Sequence, residues 1–177
     1  MPTLVTRRAP RSPALPASVV RRLGDAMLAE LGLAGSELSV LLTDDTTIHA
    51  LNRTHRGKDR PTDVLAFPLD GETSEAPELL GDVVISLDTA ARQAAARRRP
   101  LAEEVRFLLA HGVLHLVGYD HGTPSEKRAM VAMTRRLVRS AAHVPLPESP
   151  ALHRKPTPAH RRRVARGISG KARKIAG

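Results

Sequence analysis

The chain has 177 residues, 41% hydrophobic and 26% charged, which excludes a disordered polyelectrolyte and fits one good-sized core. It has no cysteine, which excludes disulfide scaffolds, thiolate zinc fingers, iron–sulfur clusters and cysteine nucleophiles, and fits a reducing compartment. The net charge of +10 is uneven: nine of the 28 Lys and Arg and none of the 18 acids fall in residues 151–177, so that tail carries +9 and residues 1–150 about +1.

Phe67, Phe107 and Tyr119 are the only Phe or Tyr residues and there is no Trp, too few rings for the multi-aromatic platforms of base-stacking RNA modules. The start of the chain is broken by Pro and Arg and shows no apolar stretch of the kind that directs export. No run of residues is long and apolar enough for a membrane span. These features predict a cytoplasmic protein with no membrane partner.

In chain order, a short strand is expected over Thr3–Thr6, followed by a Pro-punctuated linker. Pro16 opens a helix whose apolar positions Val19, Val20, Leu23, Met27, Leu28 and Leu31 follow a 3.6-residue period, with Gly32 and Gly35 at its end. Glu37–Thr43 reads as a strand through Leu38, Val40 and Leu42, and Asp44 or Asp45 can cap a short helix over Thr46–Thr54. Arg56–Pro61 is a polar loop before a strand over Asp63–Phe67, and Asp70–Leu80 is acidic and loop-like. A strand over Gly81–Leu87 precedes an Ala- and Arg-rich helix from Asp88 to about Arg98. Pro100 starts a helix over Leu101–Val117 that Gly118 ends, and Thr123, Pro124 and Glu126 mark the start of a last helix reaching about Ala142. The pattern predicts a single compact α+β domain, a small mixed sheet covered by several helices. From about Pro145 the sequence lacks a sustained apolar face and is expected to be disordered alone.

His111 and His115 lie four apart in the Leu101–Val117 segment, so on a helix their imidazoles share one side. The segment is apolar nearly all round, which predicts a buried helix whose histidines need partners. Gly118 can turn the chain back so that His121 returns over the other two. Three imidazoles with an open fourth position describe a catalytic metal site for one divalent ion, zinc preferred, although imidazole suits other transition metals. Core histidines bonded to backbone carbonyls are the structural alternative; three at this spacing around a glycine hinge favour the metal. Metzincin proteases share this spacing, but their Glu base is replaced here by Gly112, which disfavours peptide hydrolysis.

A second constellation, RGKDRPTDVLAFP from Arg56, places Arg56, Lys58 and Arg60 together beside Gly57. Such a loop can hold a phosphate, or it can be a solvated basic loop with Asp59 and Asp63 as local ion-pair partners.

HGVLHLVGYDH, with RGKDRPTDVLAFP and LGDVVIS upstream in that order, resembles the YbeY family of bacterial metal-dependent endoribonucleases over roughly Leu38 to Ala142. The resemblance implies a single-strand-specific endoribonuclease acting in ribosomal RNA maturation, at the 3′ end of small-subunit rRNA, and in ribosome quality control. RNA would be its partner, together with small-subunit ribosomal proteins and ribosome-assembly factors. It implies His111, His115 and His121 as metal ligands and Arg56 as an active-site residue. Lys58 and Arg60 are candidate RNA contacts, with Arg97–Arg99 as a possible extension of the same cationic groove. Asp82 and Asp120 match motif positions and are assigned supporting roles, bonding a neighbouring histidine or fixing a turn. The nuclease domain would be residues 1–146, and residues 147–177 a basic tail about which the resemblance says nothing. His55 stands where the family usually has Tyr, and Ala66 where Ser is common; His55 is read as a partly exposed ring rather than a ligand. A metal on three histidines lowers the pKa of its water to roughly 7, which supplies a nucleophile without a carboxylate base. Positioning of an RNA 2′-hydroxyl for internal attack is equally compatible. The competing readings are a non-catalytic ribosome-assembly factor with a structural metal and, behind it, a metalloprotease-like hydrolase.

Overall fold

Strand alternation sets the centre of the molecule. In β2 (Glu37–Thr43), Leu38, Val40 and Leu42 are buried on one face, and in β4 (Leu79–Ser86) Val83 and Ile85 join them. A computed structural model describes residues 3–9, 15–69 and 79–147. The acidic loop expected over Asp70–Leu80 lies outside these residues except at Leu79 and Leu80, which already belong to β4; residues 148–177 of the tail also lie outside them.

The sheet has four strands in the order β1-β2-β4-β3, where β1 is Thr3–Arg8 and β3 is Val64–Pro68. The first three are parallel and β3 runs antiparallel to β4, which makes the sheet mixed. Helix α1 (Ala17–Glu30) crosses from β1 to β2, burying Val20, Leu23 and Met27 against the Leu38–Val40–Leu42 face. Helix α4 (Leu101–Leu116) packs on the same face through Val105, Leu109 and Val113. The opposite face is covered by α2 (Asp45–Arg56), where Ile48 meets Leu65 and Val84. Helices α3 (Leu87–Ala96) and α5 (Pro124–Ser140) complete the fold. The α+β architecture thus agrees with the sequence, and α4 is buried along most of its length.

The start of α2 is tightly fixed. Asp44 caps it, accepting from the Thr47 N–H at 2.8 Å. The Asp45 carboxylate accepts from Ser86 Oγ at 2.6 Å, Thr89 Oγ1 at 2.7 Å and Arg92 Nη2 at 2.7 Å, tying α2 to the start of α3. Partial burial pushes the Asp45 pKa up, but these bonds outweigh it and hold the carboxyl below its ordinary value. At the other end α2 runs two residues past the expected Thr54, because Gly57, at φ +64°, is the first residue able to take the left-handed stop. Arg56 therefore ends a helix instead of opening a loop.

The Arg97–Arg99 cluster departs from expectation. Glu104, fully buried in the first turn of α4, takes Arg97 on one carboxylate oxygen and Arg99 on the other, the latter at 2.5 Å from Nη2. Two of the three arginines are thus tied to one buried carboxylate, which offsets one of their charges and holds both side chains against α4. Arg99→Ala leaves a buried carboxylate with one partner and is expected to cost roughly 1–3 kcal/mol of stability. Glu104→Gln keeps the shape but sets an amide N–H donor against one guanidinium, and is expected to be destabilising as well; denaturant titration of both variants checks this.

Candidate metal centre

The end of α4 brings three histidines together. Val117 caps the helix and Gly118 follows at φ +89°, a conformation that costs glycine little. The Gly118 N–H donates to the His115 carbonyl at 3.2 Å and the Tyr119 N–H to the Leu114 carbonyl at 2.9 Å, a Schellman closure. The chain turns back, and the Asp120 carboxylate accepts from the His121 backbone N–H at 2.7 Å. His121 then stands over the two helical imidazoles. Its ring centroid lies 5.3 Å from that of His115 and 6.1 Å from that of His111, which are themselves 4.8 Å apart. One ring nitrogen from each lies within 4.8 Å of the others.

This donor set fits a divalent transition metal. Burial pushes the pKa of His111 down, and His115 and His121 push it further, against an upward pull from Asp63. Burial also lowers that of His115, with His121 acting in the same direction and Asp120 and the Tyr119 backbone opposing. Both shifts favour neutral imidazole, the form that ligates metals.

Gly112 explains why no carboxylate stands inside the motif. A Cβ there would come 2.6 Å from Val83 Cγ1 and 3.3 Å from Val64 Cγ2, so α4 sits on the sheet at a distance only glycine permits. Any side chain at this position meets Val83 and Val64, so a Glu base does not fit there without moving α4 off the sheet. The protease-like reading loses its geometric basis at this residue.

The histidines line a cavity of about 620 Å³. Arg56 at the end of α2, Lys58, Asp63 and Val64 line it as well, as do Lys127 and Arg135 of α5. Asp63 is held in place: one oxygen accepts from Val64 N–H at 2.9 Å and the other from Gln93 Nε2 at 3.0 Å. Arg60 is exposed and does not line the cavity, although its carbonyl accepts from Asn52 Nδ2 at 2.7 Å and so braces the loop.

Asp82 lies elsewhere. In β4 it alternates with Val83, which faces α4, and therefore projects from the other side of the sheet, into a groove shared with Ser39, Leu41 and Phe67. Among the described residues Asp82 accepts no hydrogen bond from a site histidine, which removes one of the two supporting roles expected of it. Asp120 stays beside the cluster, with a carboxylate oxygen 3.9 Å from His121 Nδ1. His55 packs edge-on against Phe67, 5.0 Å between centroids, and lines the Asp82 groove rather than the histidine cavity. Sequence reasoning missed Phe107, Lys127 and Arg135 as cavity residues; the available signal was the i, i+4, i+8 spacing of Lys127, Val131 and Arg135 and of Phe107, His111 and His115.

The family profile described as Endoribonuclease YbeY matches residues 13–142. The chain belongs to the YbeY family. Two relatives that bear the name Endoribonuclease YbeY come from Anaeromyxobacter. One, from Anaeromyxobacter sp., is 52% identical over 126 residues, 70% of this chain and 65% of its own. The other, from Anaeromyxobacter dehalogenans, is 50% identical over 121 residues, 68% of this chain and 62% of its own. The chain thus spans slightly less than two thirds of the length of either. The YbeY relative from Aquifex aeolicus is 50% identical over 111 residues, 62% of this chain and 73% of its own. The solution structure of a Thermotoga maritima protein is similar in fold, with a TM-score of 0.55 at 23% identity, over 78% of this chain and 89% of that one. Among the described residues no helix is long and apolar enough to cross a membrane.

Proposed function

We propose that this protein is a metal-dependent endoribonuclease that hydrolyses phosphodiester bonds in single-stranded ribosomal RNA. The observation that carries the reading is the set of three imidazole nitrogens within 4.8 Å of one another, in a cavity that Arg56 and Lys58 also line. His111, His115 and His121 hold the ion, and zinc is the ion that three neutral imidazoles with an open fourth position favour. When bound, the ion supplies Lewis acidity, acidifying water and polarising a phosphoryl oxygen. Arg56, with Lys58, binds the scissile phosphate and offsets the charge that builds on its oxygens in the transition state. Asp120 holds the turn that carries His121 through the His121 backbone N–H, and Asp63 acts on His111 through its charge alone. Arg60 positions the loop that carries Lys58.

The substrate is the 3′ end of small-subunit rRNA, and the setting is the cytoplasm, with small-subunit proteins and assembly factors as partners in ribosome quality control. Residues 1–146 form the nuclease domain, and the basic residues 147–177 either add non-specific affinity for RNA or serve as a solubilising extension. In cells depleted of the protein, 3′-extended small-subunit rRNA is expected to accumulate. Re-expression of the wild type is expected to clear it and re-expression of Arg56→Ala to leave it. Clearance by an Arg56→Ala protein that keeps its metal would favour a non-catalytic assembly factor instead.

A further inference from the structure

Two of the five exposed large hydrophobic side chains among the described residues stand beside the histidines. Phe107 is 36% exposed and Val131 43% exposed, and both line the histidine cavity. Phe107 lies one turn before His111 on α4, its ring nearly parallel to that imidazole at 15° and 6.5 Å between centroids. It is braced from behind the site: the Arg99 guanidinium carbon lies 5.3 Å from the ring centroid, and Arg99 is itself anchored on the buried Glu104. A ring fixed in this way loses little conformational freedom when something packs on it.

Lys127 and Arg135 flank Val131 one turn away on either side, and all three reach the same cavity. Neither cation makes an ion pair among the described residues, whereas Arg97 and Arg99 share Glu104 and Arg136 pairs with Glu30. An apolar strip between two unmatched cations fits a ligand that is flat and apolar in its middle and anionic along its edge. A nucleotide in a single strand has that make-up, whereas a base inside a duplex presents no free face.

We propose that Phe107 and Val131 form a nucleobase subsite adjoining the histidine cluster, with Lys127 and Arg135 contacting phosphates of the same single strand. The inference rests on the nuclease reading for its choice of ligand. It also reconciles the scarcity of aromatic residues with RNA binding: one ring, placed beside the reacting centre, receives one base. Stacking of this kind tolerates any base, so the subsite selects single strands without selecting sequence.

The test is fluorescence anisotropy of the full chain with two labelled, uncleavable 2′-O-methyl strands of equal length, one bearing uracil throughout and one abasic. Wild type, Phe107→Ala, Phe107→Tyr and the Lys127→Ala/Arg135→Ala double variant are compared, each with its metal content measured. The wild type is expected to bind the uracil strand about 10-fold or more tighter than the abasic one. Phe107→Ala is expected to bind both alike with its metal retained, and Phe107→Tyr to restore the preference. The double variant is expected to weaken both strands together and to reduce the log–log salt slope by about 1.4. A Phe107→Ala protein that keeps the uracil preference overturns the proposal, as does a wild type that binds neither strand. A wild type that shows the preference and cuts no cleavable RNA leaves the subsite standing and overturns the nuclease reading.

Discussion

Arg56→Ala is expected to keep its metal and its fold while RNA cleavage falls by about 100- to 1,000-fold. The residue ends α2 and is exposed, so its truncation removes no core contact. The helix that carries it is fixed at its other end by the Asp45 network. The cost therefore falls on charge stabilisation at the phosphate, an interaction that strengthens as the transition state forms. Arg56→Lys keeps the charge and loses the two-pronged geometry, and is expected to recover only part of the rate. Single-turnover cleavage of a labelled single-stranded RNA, with metal content measured in parallel, checks the split between chemistry and metal binding. A rate for Arg56→Ala equal to that of the wild type removes Arg56 from the mechanism.

His115→Ala is expected to lose both metal and activity. His115 is the middle donor, 4.8 Å from His111 and 5.3 Å from His121 between ring centroids, and its removal leaves two imidazoles that cannot enclose an ion. The loss of zinc affinity is expected to exceed the roughly 10- to 100-fold that follows removal of a hydrogen-bond partner of a ligand. The imidazole is only half-buried, so the metal-free fold survives and the defect is read as metal content rather than as insoluble protein. Competition with a chromogenic chelator measures the affinity. Retention of one tightly held ion by His115→Ala contradicts the three-histidine centre.

What the sequence made legible was local. The i, i+4 spacing of His111 and His115 and the glycine that lets His121 return depend on neighbours within a dozen residues, and all three rings meet as expected. The capping box that starts α5, with Thr123 and Glu126 bonded reciprocally, was readable for the same reason. Features that depended on which face of the sheet a helix covers were not legible. The parity of β4 separates Asp82 from Val83, but only the packing of α4 on Val83 puts Asp82 on the side away from the histidines. Arg97 and Arg99 read as a free basic cluster because their partner, Glu104, looks like an ordinary first-turn acid until α4 is buried. Phe107, Lys127 and Arg135 become one cavity wall only when α4 and α5 pack together.

The central claim is that the three-histidine centre, loaded with one metal ion, cuts RNA. Its most direct test is to strip the protein of metal and titrate zinc back while following cleavage of a labelled single-stranded RNA. Cleavage absent at the start, rising with added zinc and saturating at one equivalent per chain, is the expected result. Cleavage that persists in the stripped protein, or that ignores the first equivalent of zinc, would contradict it.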